Sequence, residues 1–153
     1  MLFSKKNKIF SPADGTYIPI SDVNDPVFAQ GVVGDGVAVV PAGNEIISPV
    51  SGVITMIADQ KHGIGITMED GTEVLIHMGI DTVELGGRPF TIYKKVNDKV
   101  VQGETIALMD INAIELAGKE TVVLVIAVGK KQLKKKYDVL TKVKCNDELA
   151  KIN

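Results

Sequence analysis

The chain has no tryptophan, one cysteine and two histidines among its 153 residues, and each scarcity excludes something. With no Trp and only 5% aromatics, the core must be aliphatic, built from Val, Ile and Leu. A single cysteine, Cys145, rules out an internal disulfide and fits a reducing compartment. It stands in TKVKCNDELA with no histidine close in sequence, and it reads as structural rather than nucleophilic. A net charge of −2 leaves no electrostatic footprint for nucleic acid or another polyanion. No apolar run approaches the ~20 residues of a membrane span. The longest, Thr121–Val128 (TVVLVIAV), has the length of a buried strand. The N-terminus MLFSKKNKIF has no apolar h-region and no cleavage site, so it does not read as a secretory signal, and a cytoplasmic location is expected.

What is present points to one soluble domain spanning residues 1–153, with residues 1–10 expected to form a flexible N-terminal segment. Short β-rich runs alternate with Gly, Pro, Asp and Asn clusters, the pattern of an all-β sandwich or barrel. Strands are predicted over Thr16–Ile20, Gly36–Val40, Gly52–Ala58, Gly63–Glu69, Thr72–Met78, Thr91–Tyr93, Thr105–Asp110, Thr121–Val128 and Tyr137–Leu140. One short helix is predicted over Asp110–Lys119, where Ile111, Ile114 and Leu116 lie at roughly helical spacing and Gly118 can cap the end. The lysine-rich GKKQLKKK (Gly129–Lys136) reads as a solvated turn or strand rim. SPADGTYIPI at Ser11 and SPVSGVITMI at Ser48 share S-P-x-x-G before an apolar run, a faint internal echo of turn leading into strand.

Both histidines, His62 and His77, fall in the segment Lys61–Gly87 (KHGIGITMEDGTEVLIHMGIDTVELGG), fifteen positions apart. Asp70-Gly71 between two β-rich runs is a two-residue hairpin signal, because a type I′ turn needs positive φ at both central residues. That turn predicts Ile66 opposite Leu75, Ile64 opposite His77 and His62 opposite Gly79. One face would then carry His62, Ile64, Ile66 and Met68 with Glu73, Leu75, His77 and Gly79, and the two imidazoles would meet at the open end of an apolar strip. A one-residue slip would separate them.

Two neighbouring imidazoles allow three readings. They can be packed and hydrogen-bonded with no further role. They can bind a metal, although two rings are an incomplete zinc set that carboxylates would have to complete. Or they can perform phosphoryl chemistry. In that case one ring nitrogen attacks, the other ring donates an N–H to the phosphoryl oxygens, and a backbone carbonyl on the attacking ring's Nδ1 fixes which nitrogen is free.

The residues after His77 bear on the choice. IHMGIDTVELGG (Ile76–Gly87) resembles the signature around the phosphorylated histidine of the glucose-type enzyme IIA family of the bacterial sugar phosphotransferase system. The pattern H-x-G-I-D-T-V-x-L stands here as His77, Gly79, Ile80, Asp81, Thr82, Val83 and Leu85. GVVGDGVAV (Gly31–Val39), SPVSGVI (Ser48–Ile54) and VNDKVVQGE (Val96–Glu104) also match, so the resemblance covers about residues 10–150. It implies an antiparallel β-sandwich with a phosphohistidine relay. His77 would take a phosphoryl group on Nε2 from the histidine phosphocarrier protein and pass it to a cysteine on the IIB domain of a sugar permease, with His62 as the helper ring. No cofactor is required by this reading, though the His62–His77 pair could take Zn²⁺ weakly. The resemblance also implies an apolar collar at Val27, Phe28, Val32, Val33, Leu75 and Met78, which excludes water and docks partners, regulatory targets among them. Asp25 and Asp81 match acidic positions presented to basic partners, and Gln60, Gly79 and Asp81 would stand behind the two histidines as supporting residues.

The match has departures. Gln60 stands two residues before His62, where the family often has a hydroxyl-bonded Thr. Gln still offers an amide oxygen and N–H but is longer. Ala58 and Leu75 stand where larger aromatics are common. A zinc peptidase of related β-fold would use an H-x-H pair near a further ligand, and there is no third histidine. A non-catalytic regulatory module is the remaining alternative.

Overall fold

A computed structural model describes residues 6–152. In chain order the strands are β1 (Lys8–Phe10), β2 (Gly15–Ile18), β3 (Gly34–Pro41), β4 (Glu45–Ile47), β5 (Gly52–Ile57), β6 (Gly63–Thr67) and β7 (Glu73–Ile80). Then follow β8 (Phe90–Ile92), β9 (Lys99–Val100), β10 (Thr105–Met109), β11 (Glu120–Val128), β12 (Lys134–Lys135), β13 (Thr141–Val143) and β14 (Glu148–Lys151). Two short helices, α1 (Pro26–Ala29) and α2 (Ile111–Leu116), and 3-10 turns at Ile20–Asp22 and Thr82–Leu85 complete the chain.

Every strand pairing is antiparallel. An eight-stranded sheet runs β13-β2-β3-β11-β7-β6-β5-β9. Two three-stranded sheets, β4-β10-β8 and β1-β14-β12, supply the facing layer. The main core lies between these layers. Ile54, Ile64, Ile66, Ile76 and Val125 of the large sheet meet Ile46, Ile106 and Met109 from one small sheet and Ile9 and Leu149 from the other. The antiparallel β-sandwich expected from the sequence is what forms.

The outer face of the large sheet holds a second apolar cluster. Ala38, Leu124 and Ile126 are covered there by Ile20, Val23 and Phe28, from the segment between β2 and β3. This explains why β11 is apolar at nearly every position instead of alternating. It lies between β3 and β7 with a core on each face. The edge strands of all three sheets are short: β13 and β9, β4 and β8, and β1 and β12 have three residues or two each.

Several local expectations need correction. Residues 8–10, assigned to a flexible segment, are strand β1, paired with β14; residues 1–5 lie outside the described residues. Tyr137–Leu140 is not a strand. The chain pairs on either side of it instead, in β12 and β13, and the Tyr137 ring packs at 5.7 Å on Tyr17. In α2 the Asp110 carboxylate accepts the Ala113 N–H at 3.1 Å and Gly118 is left-handed at φ 77°, so the caps are as read, but Leu116 points outward at 90% exposure. The S-P-x-x-G echo is structural. Buried Ser11 and Ser48 each donate Oγ–H to the carbonyl two residues on, Ala13 at 2.7 Å and Val50 at 2.6 Å. The two loops also bond each other, Phe10 N–H to Pro49 O at 3.1 Å and Ile47 N–H to Pro12 O at 2.9 Å.

Candidate functional site

His77 sits in β7, paired with Leu124 of β11 on one side and Gly63 of β6 on the other. The hairpin register is one residue away from the expected one. Glu69, Asp70 and Gly71 form a three-residue loop, with Met68 and Thr72 paired by the Met68 N–H to Thr72 O bond at 2.8 Å. Gly71 takes φ 89° and the Asp70 carboxylate accepts the Thr72 N–H at 3.0 Å, the turn-plus-bulge alternative to a type I′ turn. The slip turns Ile64, Ile66, Val74 and Ile76 inward together. His77 and Leu75 face outward, opposite Gly63 and Gly65. On the β6 side the outer face beside His77 is therefore bare, because Gly63 and Gly65 carry no side chains.

By strand alternation this slip would send His62 away from His77. The backbone restores the pair. Lys61 is left-handed at φ 63°, so strand alternation begins only at Gly63, and the His62 carbonyl accepts the Met78 N–H at 2.8 Å. The His62 ring turns back over the glycine-bare strip. The two imidazole centroids lie 5.4 Å apart with the rings at 82°, an edge-to-face pair. On its other side His77 is covered by Phe28, at 4.8 Å between centroids.

The two Nδ1 atoms are buried and make no hydrogen bond, which leaves Nε2 as the accessible nitrogen of each ring. The backbone of Gly79 lies near enough to favour a protonated His77, but the expected Nδ1–H to carbonyl bond is not formed at ordinary geometry. Burial lowers the pKa of His62. For His77 burial is again the largest cause and His62 adds to it, while Gly79, Asp25 and Asp81 pull the other way. The net direction is downward for both rings, so near neutral pH they are unprotonated and carry a free lone pair.

The surrounding residues divide into three groups. Val27 and Val32 are exposed, and Val33 and Leu75 are half-buried against the outer cluster; these four can form a collar. Phe28 is buried beneath it against His77. Met78 is a correction. It follows His77 in a strand, so it points the opposite way, into the main core, with 0% exposure. Two apolar residues on the exposed side were missed. Met56 pairs with Gly65 and so shares the His77 face, and Val83 projects from the 3-10 turn after Asp81. Met56 could be found only from the true register; Val83 lay inside the recognised signature.

Asp25 is the N-cap of α1, accepting the Val27 N–H at 3.0 Å ahead of Pro26, and thereby sets the helix that carries Phe28. Asp81 is exposed, is left-handed at φ 59° and makes no side-chain cap bond, so its carboxylate is free to face a partner. Gln60 lies beside Gly86, whose Cβ, if present, would be 3.9 Å from Gln60 Oε1. Among the described residues no hydrogen bond joins the Gln60 amide to either imidazole. Cys145 is remote in role: its N–H binds Asp14 at 2.8 Å, and burial followed by the Asp14 carboxylate pushes its thiol pKa up. Among the described residues no three His, Cys, Asp or Glu side chains converge as a metal set.

An accessible nucleophilic nitrogen, a perpendicular second imidazole and an apolar rim suit transfer of a group between proteins. Comparison with known proteins agrees. The family model described as phosphoenolpyruvate-dependent sugar phosphotransferase system, EIIA 1, matches residues 7–133. The glucose-specific EIIA component of Buchnera aphidicola subsp. Acyrthosiphon pisum is 46% identical over 112 residues, covering 73% of this chain and 70% of that protein. The glucose-specific EIICBA component of Streptococcus pneumoniae is 46% identical over 119 residues, 78% of this chain but only 16% of that much longer protein. The solved structure of glucose permease IIA from Mycoplasma capricolum superposes with a TM-score of 0.84 at 31% identity, covering 98% of each chain. The chain belongs to the EIIA 1 family of the phosphoenolpyruvate-dependent sugar phosphotransferase system.

Proposed function

We propose that His77 is the phosphoryl acceptor of a cytoplasmic relay between a histidine phosphocarrier protein and the IIB domain of a glucose-type permease. The carrying observation is the edge-to-face His62–His77 pair, 5.4 Å between centroids, with both Nδ1 atoms shut away. The Nε2 lone pair of His77 attacks phosphorus, and the phosphorus–nitrogen bond to the carrier's histidine breaks. In the second step a IIB cysteine thiolate attacks, the phosphorus–Nε2 bond breaks, and the lone pair returns to His77. His62 donates an N–H to the phosphoryl oxygens, where negative charge is spread. The collar of Val27, Val32, Val33 and Leu75 keeps water from a labile phosphohistidine while a partner is docked. Relatives whose printed names join EIIA to B and C parts, as EIICBA and EIIBCA components, support the IIB partner. Incubation with enzyme I, the phosphocarrier protein and phosphoenolpyruvate should add one acid-labile, base-stable phosphoryl group. Peptide mapping should place it on His77. No uptake, or phosphate on Cys145, a serine or His62, overturns the assignment.

Zinc at this pair is weak by the same reading. Two imidazoles are half of a tetrahedral set, and water or a partner's carboxylate must supply the rest. Titration against a competing chelator should show easily removed zinc that leaves the fold intact. Acid should release it, because the ligands must be unprotonated. Both folded-state pKa values are lowered, so release should fall below the ordinary histidine value of about 6.5. Stoichiometric zinc that survives the chelator and is required for folding would contradict this and favour a hydrolase.

A further inference from the structure

The turn after His77 is held by a contact that the phosphoryl chemistry does not use. Thr82 is fully buried, and its hydroxyl donates to the Met78 carbonyl at 2.5 Å. The side chain lies over Gly79, where φ is +81° and an added Cβ would come within 2.4 Å of Thr82 Cγ2 and 2.9 Å of the Glu120 carbonyl oxygen. The bare Gly79 and the folded-back Thr82 are therefore one device. It turns the chain at the end of β7, three residues beyond His77, and ties it back to the strand that carries His77. The residue placed at the apex is Asp81, left-handed, exposed and free of any capping bond, and Val83 follows at 47% exposure. A second tie holds the far end of the turn, Lys119 Nζ to Glu84 Oε1 at 2.9 Å.

We infer that Thr82 is a positioning residue for phosphoryl transfer: its buried hydroxyl latches the turn to the Met78 carbonyl and so holds the Asp81 carboxylate beside His77 for a basic partner. The inference rests on the relay reading given above. Thr82 touches neither phosphate nor partner and acts only through Asp81. A charge at the rim of a docking site mainly tunes encounter and register, so the effect falls on KM for the phosphorylated carrier rather than on kcat. A lost neutral hydrogen bond corresponds to a few-fold to about tenfold change.

The test measures transfer from the phosphorylated carrier protein at several carrier concentrations, with a melting curve for each variant. Thr82→Val keeps the shape over Gly79 and removes the donor. It should raise KM about 3- to 10-fold with kcat nearly unchanged. Asp81→Asn should do the same, and the double variant should be no worse than the worse single one, because both remove the same placed charge. Thr82→Ser should restore the wild-type KM. Should Thr82→Val melt below the assay temperature, Thr82→Cys, with only a weak donor, takes its place and should give an intermediate KM. Multiplying effects of Thr82→Val and Asp81→Asn, or an unchanged KM in a Thr82→Val chain that merely melts lower, overturns the inference while leaving the relay intact. A wild-type chain that takes up no phosphate overturns both.

Discussion

His62→Gln should still accept a phosphoryl group yet hand it on slowly, whereas His77→Ala should do neither. In the proposed relay His77 supplies the attacking Nε2, and His62, the one other histidine of the chain, serves there as donor and not as nucleophile. The His62 ring stands edge-on to His77 rather than stacked, which allows an N–H of one to point at a group borne on the other. Gln keeps an N–H of similar reach but loses the ring and its fixed direction. In the proposed donation step the phosphoryl group would leave His77 through a charge-spread transition state, and a fixed donor contributes most where charge develops. Removing one such donor costs roughly 10²–10³ in rate in well-studied enzymes, and donation should fall by that order or less. The measurement loads each variant with radiolabelled phosphate and chases it with purified IIB domain. Donation by His62→Gln at the wild-type rate would make His62 a bystander.

Met78→Glu and Val32→Glu should part in opposite directions, although both residues were expected in the collar. Met78 is sealed in the main core between Ile76 and its neighbours, whereas Val32 is 72% exposed. An unpaired carboxylate in an apolar core costs several kcal/mol even after it neutralises itself by taking a proton. That is a large share of the roughly 5–15 kcal/mol by which a domain is stable. Met78→Glu should therefore lose most of its cooperative melt or accumulate unfolded. Val32→Glu should melt within about 0.5 kcal/mol of wild type and lose affinity for the carrier protein, because a charge now stands in an apolar docking surface. A normal melting temperature for Met78→Glu would mean that the residue is not where the core packing puts it. Unchanged carrier affinity in Val32→Glu would remove Val32 from the docking surface.

These two variants also show what sequence reasoning could reach. The β-rich runs, the Asp70-Gly71 reversal, the capped α2 and the His77 signature are local patterns, and local patterns are legible. The register of the hairpin is not, because Asp-Gly serves both a two-residue turn and a three-residue loop with a left-handed glycine. The one-residue difference hides Met56, whereas Met78 was placed in the collar by the resemblance alone, and strand alternation puts it opposite His77 in either register. The pairing of the imidazoles survived the wrong register for a reason that no periodicity contains. Lys61 takes a left-handed backbone and frees His62 from the alternation of β6. Tyr137–Leu140 failed differently: the strands form on either side of it, and Tyr137 packs instead on Tyr17, a contact that the linear chain does not display. Asp25 was read as a partner-facing charge, and the structure also spends it as the cap that holds Phe28 over His77.

The shortness of the sheet edges bears on how such a protein survives repeated handling by others. A long open edge offers a row of unpaired N–H and C=O groups on which any extended peptide can polymerise. Here β9 and β13, which bound the large sheet, offer two residues and three, and each carries an exposed lysine, Lys99 and Lys142. The small sheets end as abruptly. Crowded solutions of the purified chain should stay clear of fibrillar growth, and a docking partner should be met side chain first, because among the described residues each sheet edge offers an incoming strand at most three residues of backbone.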